Sequence, residues 1–271
     1  MSRPAGKKRG SVDDMDPEAA RRLEEQIWEL WVEPEIRRRS GQSDLPPRFK
    51  LRAFQILFAS PSDGGSTTVR LNEEVRAMAR IPPRQAIRPG DSVYAHDIEA
   101  IEEITLLDEE ANRAHITGLD LGGKWVTYLD LRYDRKRAVE HLEAAGDFLD
   151  AAYTEQQKGR WRPFIENLFT AAELAAKAEL MLTPTGSPKE LRDHNKIRGK
   201  YVSWARLENA PGPSSQALAE LGKLRYPARY LSKPLRFDPQ RADTLLAEVR
   251  AALEWTRRRL IGGEPERQRA E

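Results

Sequence analysis

The densest run of residues able to do chemistry is KLRYPARYLSKPLRF, residues 223–237, with five basic residues and no acid. Arg225 and Arg229 are each followed by a tyrosine, Tyr226 and Tyr230. Guanidinium is a permanently charged, planar fork that matches phosphate, and a tyrosine ring can stack on a base or donate to a phosphate. Arg198, Lys200 and Lys177 are the further candidate phosphate ligands, and Arg225 and Tyr230 are the catalytic candidates. Between Pro188 and Arg236 eleven bases face four acids, whereas Asp97 to Glu110 holds seven acids and no base. Such asymmetry attracts polyanions, although solvated helix faces are often one-signed too. Aromatic and basic residues also interleave at Arg160-Trp161-Arg162 and at Lys200-Tyr201 with Trp204 and Arg206. An amphipathic helix writes the same letters when the ring packs inward and the base snorkels outward.

Other chemistries find little support. The four histidines, His96, His115, His141 and His194, form no local metal motif. His96-Asp97 offers two adjacent ligands and reads as a structural or solvated pair. No cysteine is present, so disulfides and thiolate sites are excluded and a reducing, cytoplasmic home is expected. No Gly-x-Ser-x-Gly occurs, and the Gly-Gly pairs at 64–65, 122–123 and 262–263 lack the Lys-Ser/Thr of a phosphate-binding loop. Glu173 and Lys177 lie one helical turn apart, either as an intrahelical core pair or with Lys177 on phosphate. No metal or cofactor is expected. No apolar run is long enough for a membrane span, and the basic start of the chain lacks the apolar stretch of a signal peptide.

The elements that must position these residues are legible as patterns. Of the 271 residues, 39% are apolar and 32% charged, which suits helices with long solvated faces around a modest core. The spacing predicts a disordered tail over 1–15, an N-terminal helix and connector over 16–45, a β domain over 46–133, a helical bundle over 134–262 and a polar tail over 263–271. Asp16-Pro17 starts the first helix and Pro34 limits it, with a brief resumption through Arg39. Strands are expected in 49–59, 67–72, 101–107, 113–121 and 124–133, the last two joined by Gly122-Gly123. A short helix is expected in 72–80. Five amphipathic helices follow, at about 134–156, 160–182 and 188–207, then one capped by Ser214 or Ser215 and ended by Pro227, then one at about 239–261. The fold class expected is therefore α+β: an N-terminal helix, a small mostly antiparallel β domain and a five-helix antiparallel bundle.

The helical half resembles a known family. RWRPFIENLFTAAELAAKAELML (160–182) is similar to the alanine- and aromatic-rich helix of HEPN bundles, with Glu173 four residues before Lys177. RAVEHLEAAGDFLDAA (137–152) fits that family's first helix. His194 in RDHNKIRGKY matches a histidine where its third helix begins, here expected to pack or cap. LRYPARY (224–230) resembles the arginine- and tyrosine-rich end of its fourth. The resemblance spans about 134–261 and implies a bundle that dimerises. Many members are metal-independent RNases using Arg-x4-6-His near the end of the fourth helix. Here Tyr230 stands five positions after Arg225 and Pro227 interrupts the spacing. The one formal match, Arg135 to His141, falls on the first helix. The resemblance thus implies a non-catalytic module that binds a nucleotide, RNA or a partner protein, in a toxin–antitoxin or defence setting, with the β domain as a second interface. The alternatives are an active ribonuclease with another proton carrier, and an assembly subunit with no nucleic-acid role.

Overall fold

The structure, a computed structural model, describes residues 16–62, 65–81, 90, 101–184, 190–230 and 234–261. The chain divides into two compact units, residues 1–131 and 132–271. The expectations for 1–15, for His96-Asp97 and for 263–271 lie outside the described residues.

In the first unit Asp16 caps α1 (Pro17–Ile27), its carboxylate accepting the Ala19 N–H at 3.1 Å. Pro34 limits α1 only in part, and the resumption expected through Arg39 runs to Gly41. Five residues of π-helix, Trp28–Val32, lead directly into α2 (Glu33–Gly41), with Pro34 in its first turn. The Glu33 N–H reaches the Trp28 carbonyl, and the hydrogen bonding then returns to the α pattern around the proline. Proline's missing donor is tolerated there because a first-turn N–H needs no intrahelical partner.

A four-stranded antiparallel sheet follows in the order β2-β1-β5-β6, from β1 (Ala53–Leu57), β2 (Thr68–Leu71), β5 (His115–Leu121) and β6 (Lys124–Asp130). The β5–β6 turn is Gly122-Gly123, both at positive φ (69° and 97°), the backbone that a two-residue hairpin with matching twist demands. Gly118 faces Phe54 across the β5–β1 pairing. A Cβ there would stand 2.2 Å from a Phe54 ring carbon, so only glycine fits beneath the ring.

Both faces of this sheet are covered. Phe54, Ile56 and Trp125 pack with Ile27, Trp28 and Val32 of the helical entry. Val126 and Tyr128, of opposite parity on β6, pack with Ile101 and Ile104. The helix expected in 72–80 is absent. Residues Asn72–Glu74 make one 3-10 turn, and β3 (Met78–Arg80) pairs with β4 (Glu103–Thr105) as a separate ribbon. A nine-residue segment is too short to hold a helix by its own hydrogen bonds, and Met78–Arg80 finds strand partners in Glu103–Thr105 instead.

The second unit is helical. It contains α3 (Arg135–Gln157), α4 (Trp161–Met181), α5 (His194–Arg206), α6 (Gly212–Arg229) and α7 (Ala242–Leu260). Helix α4 packs against the other four. Its fully buried Ala171, Ala175, Ala176 and Ala178 allow close approach, while Phe164, Ile165 and Leu168 fill the core. Near the end of α4, the fully buried Glu179 accepts the Trp204 indole N–H at 3.0 Å and pairs with Arg259 of α7.

The ends of these helices correct three further expectations. The third begins at His194 rather than near 188, after a 3-10 turn at Glu190–Arg192. Helix α6 starts at Gly212, so Ser214 and Ser215 are buried inside it rather than capping it. The Ser214 hydroxyl donates instead to the Glu248 carbonyl at 2.7 Å. Finally, α6 runs through Pro227 to Arg229.

Candidate anion-binding cleft

The continuation of α6 past Pro227 decides the geometry of the opening motif. Two features hold the last turn. The Tyr230 N–H donates to the Tyr226 carbonyl at 2.9 Å. The Arg162 guanidinium, from α4, donates to the carbonyls of Pro227 and Ala228, at 2.5 and 3.0 Å. These are end carbonyls that a helix leaves without intrahelical donors. With the turn intact, Arg225 and Arg229 stand four residues apart on one face, as do Tyr226 and Tyr230. The two tyrosine rings approach to 5.0 Å between centroids at 45°.

The start of α5 is set by Asp193, whose carboxylate accepts the N–H groups of Asn195 (2.8 Å) and Lys196 (3.2 Å). Those backbone donors hold its carboxyl below the ordinary value. The cap fixes His194 as the first helical residue. One turn on, Arg198 donates to Asn195 Oδ1 at 3.2 Å. Arg198 lies against α6 where Gly222 leaves room; a Cβ at 222 would stand 3.0 Å from its Nη1.

The two helix ends and Phe169 of α4 enclose a cleft of about 360 Å³. Its walls carry three guanidiniums (Arg198, Arg225, Arg229), two phenols (Tyr226, Tyr230), His194 and Asn195, and among the described residues no carboxylate. Arg225 lies against α4. Its guanidinium lies 4.5 Å from the centre of the Phe169 ring, and its Nε is 3.7 Å from Glu166 Oε2. That separation is an ion pair rather than a hydrogen bond, so the donors of the fork keep capacity for a ligand. Arg229 sits 5.9 Å from the Tyr230 ring centre. Tyr226 and Tyr230 are each more than half exposed, at 55% and 52%. His194 Nδ1 pairs with Glu173 Oε1 of α4, and the imidazole meets Phe169 edge-on at 6.1 Å. A carboxylate can only accept, so Nδ1 carries the proton and Nε2 is the free basic nitrogen of the neutral ring.

Of the residues singled out from sequence, Arg198, Arg225, Arg229 and Tyr230 come together here, while Lys177 and Lys200 are not among the lining residues. Lys177 is half-buried; desolvation pulls its amine below the ordinary value, Glu173 opposes this and Arg192 adds to it. Glu173 spends its carboxylate on His194 rather than on a helical pair with Lys177 alone. Tyr226, noted beside Arg225 in the sequence, lines the cleft too, whereas sequence reasoning missed Asn195 and Gly222 as parts of the site. Asp-His-Asn at 193–195 carried a capping signal that could have fixed the helix start.

The other aromatic–basic stretches serve the core. Trp161 packs on Phe164 and Phe237, with ring centres 5.9 and 5.5 Å away, and Tyr201 is fully buried, its phenol pushed up by burial. Arg135 and His141 form no comparable site. The His141 Nδ1–H donates to the Arg137 carbonyl of its own helix at 2.8 Å, and burial lowers the imidazole's basicity. His115 is buried in β5, with Nδ1 3.0 Å from Thr117 Oγ1.

A smaller hollow of about 260 Å³ lies beside Ser60, Ser66 and Thr68 in the first unit. Its Arg113 is committed to the carbonyls of Leu57, Phe58 and Ser66. Among the described residues no group of three or more His, Asp and Glu could hold a metal ion, and no helix is long and apolar enough to cross a membrane. No family model, curated protein or solved structure matches this chain.

Proposed function

We propose that the cleft between α5 and α6 binds a phosphate-bearing ligand, a nucleotide or an RNA strand, within a HEPN-like helical module. The observation that carries this reading is the convergence of three guanidiniums and two exposed tyrosine rings in one cleft whose lining, among the described residues, holds no carboxylate. Guanidiniums supply charge-assisted hydrogen bonds to phosphate oxygens, and exposed rings offer faces on which bases stack. The resemblance across 134–261 supports a homodimeric, cytoplasmic module of a toxin–antitoxin or defence system, with the β unit contacting a protein partner. Tyr230, in place of a histidine after Arg225, supports binding over the family's own catalysis.

The test is fluorescence anisotropy with labelled single-stranded RNA and labelled nucleotide at low salt, on the wild type and on Arg225→Ala/Arg229→Ala. Saturable binding that the double variant loses is the expected result. A folded wild type that binds neither probe overturns the proposal and favours the assembly-subunit reading.

A further inference from the structure

The arginines of the cleft are held in two ways. Arg198 stands inside α5, and Arg225 lies in α6 before Pro227. Arg229 and Tyr230 come after the proline. Pro227 has no N–H to give the Lys223 carbonyl one turn back, and its ring crowds that carbonyl, so a helix tends to kink or stop at such a residue. The last turn of α6 is therefore weak just where it presents two of the cleft's groups. Support comes from α4. Arg162 Nη1 donates to the carbonyls of Pro227 and Ala228, at 2.5 and 3.0 Å. Both acceptors lie at or after the proline, beyond the part of α6 that bears Arg225. Arg162 is not among the residues lining the cleft. It heads a stripe along one face of α4, whose later members Glu166, Phe169 and Glu173 meet Arg225 and His194.

From these contacts we infer that Arg162 is a positioning residue of the cleft: by pinning the turn after Pro227 it aims Arg229 and Tyr230 at the ligand and so sets how many phosphates the cleft engages. The inference rests on the binding reading of the same cleft. It goes beyond that reading by giving a role in recognition to a residue outside the cleft wall.

With the pin in place, three guanidiniums converge on one ligand path. Without it the proline-weakened turn opens, and Arg229 and Tyr230 leave that path together. Arg198 and Arg225 stay, because neither depends on the turn: Arg225 rests on Phe169 and beside Glu166, and Arg198 lies against α6 at Gly222. Arg162 thus governs the reach of the cleft along a strand rather than its existence.

The test is anisotropy of labelled single-stranded RNA at several salt concentrations, with circular dichroism checking the helical content of each protein. The proteins are the wild type, Arg162→Ala, Arg229→Ala, the Arg162→Ala/Arg229→Ala double variant, Pro227→Ala and Pro227→Ala/Arg162→Ala. Each cationic contact to a single strand adds about 0.7 to the log–log salt slope. Arg162→Ala is expected to lose about one such step, as Arg229→Ala does, and the double variant to lose no more than either. Between about 50 and 200 mM salt the wild type should weaken by ~20-fold and each of these three variants by ~7-fold. An alanine at 227 restores the missing N–H and lets α6 hold its own last turn. Pro227→Ala/Arg162→Ala is therefore expected to regain the wild-type slope. A wild-type slope in Arg162→Ala overturns this inference and leaves the binding proposal standing. A second step lost in the Arg162→Ala/Arg229→Ala protein makes Arg162 a phosphate ligand in its own right, which also overturns it. So does a slope that Pro227→Ala fails to restore. Should Arg162→Ala not fold, Pro227→Ala and Pro227→Ala/Arg162→Ala carry the test: equal slopes are expected, and a lower slope in the double variant overturns the inference. Failure of the wild type to bind the strand overturns both proposals.

Discussion

Replacing Arg225 and Arg229 together by alanine removes two of the three guanidiniums in the α5–α6 cleft and leaves Arg198 alone. Counterion release makes the consequence quantitative. A single strand held through three cationic contacts should lose affinity with a log–log salt slope of about −2, and through one contact about −0.7. Between about 50 and 200 mM salt the wild type should therefore weaken by ~20-fold and the double variant by only ~3-fold. Arg225 is partly offset by Glu166 at 3.7 Å, so a wild-type slope nearer −1.5 than −2 is within the same account, as roughly two full contacts give. Stability is not expected to collapse, because Arg229 is exposed and Arg225 lies over the face of Phe169 rather than inside the core. The assay is anisotropy of labelled single-stranded RNA titrated at several salt concentrations, with circular dichroism confirming the helical content of the variant. Equal slopes for the two proteins would refute the assignment of these arginines to phosphate, whatever the absolute affinities.

Three predictions concern the scaffold. Gly118→Ala places a methyl group against the Phe54 ring and should cost ~1–3 kcal/mol through overpacking, read from urea unfolding. Combining it with Phe54→Ala should cost less than the sum of the two single changes, because the clash disappears with the ring. Glu179→Ala leaves the partly buried Arg259 beside Trp204 without its partner and should cost ~1–3 kcal/mol, lowering the denaturant midpoint of the helical unit. Glu35 is held down to about 2 from its ordinary 4.5 by the Arg38 hydrogen bond against the opposing effect of burial, with Arg39 adding to the lowering. A depressed carboxyl contributes stability in full above 4.5 and loses it as the pH falls toward about 2. Thermal melts across that window should show a slope for the wild type that is reduced in Glu35→Gln; parallel curves would contradict it.

How much of this was legible in the sequence depends on the range of the force involved. Amphipathic spacing placed α3 and α4 to within a residue, because buried stripes such as Ala138, Leu142, Ala145, Leu149, Ala152 repeat at helical intervals, and missed the start of α7 by three residues, where Pro239–Arg241 form a 3-10 turn. Gly122-Gly123 specified its hairpin because both residues need positive φ. At Pro34 the helix continues through the adjacent π turn Trp28–Val32, whereas at Pro227 Arg162 reaches across from α4 to hold the last carbonyls of α6. The second compensation comes from a residue 65 positions away, so it could not be read from the residues around the proline. The strand at Met78–Arg80 likewise exists only because β4, more than twenty residues downstream, pairs with it.

The stretch KLRYPARY shows where the division falls. Sequence by itself determined that arginines and tyrosines alternate there without an acid, and that no histidine follows Arg225 at the nuclease spacing. Those are properties of composition and order. Only the tertiary structure decided that Tyr226 and Tyr230 share a face, that Gly222 admits Arg198 from another helix, and that a Glu173-bound histidine completes the same wall. Proximity between residues twenty to fifty positions apart is set by how the alanine face of α4 lets α5 and α6 close against it, a packing outcome that no local pattern encodes.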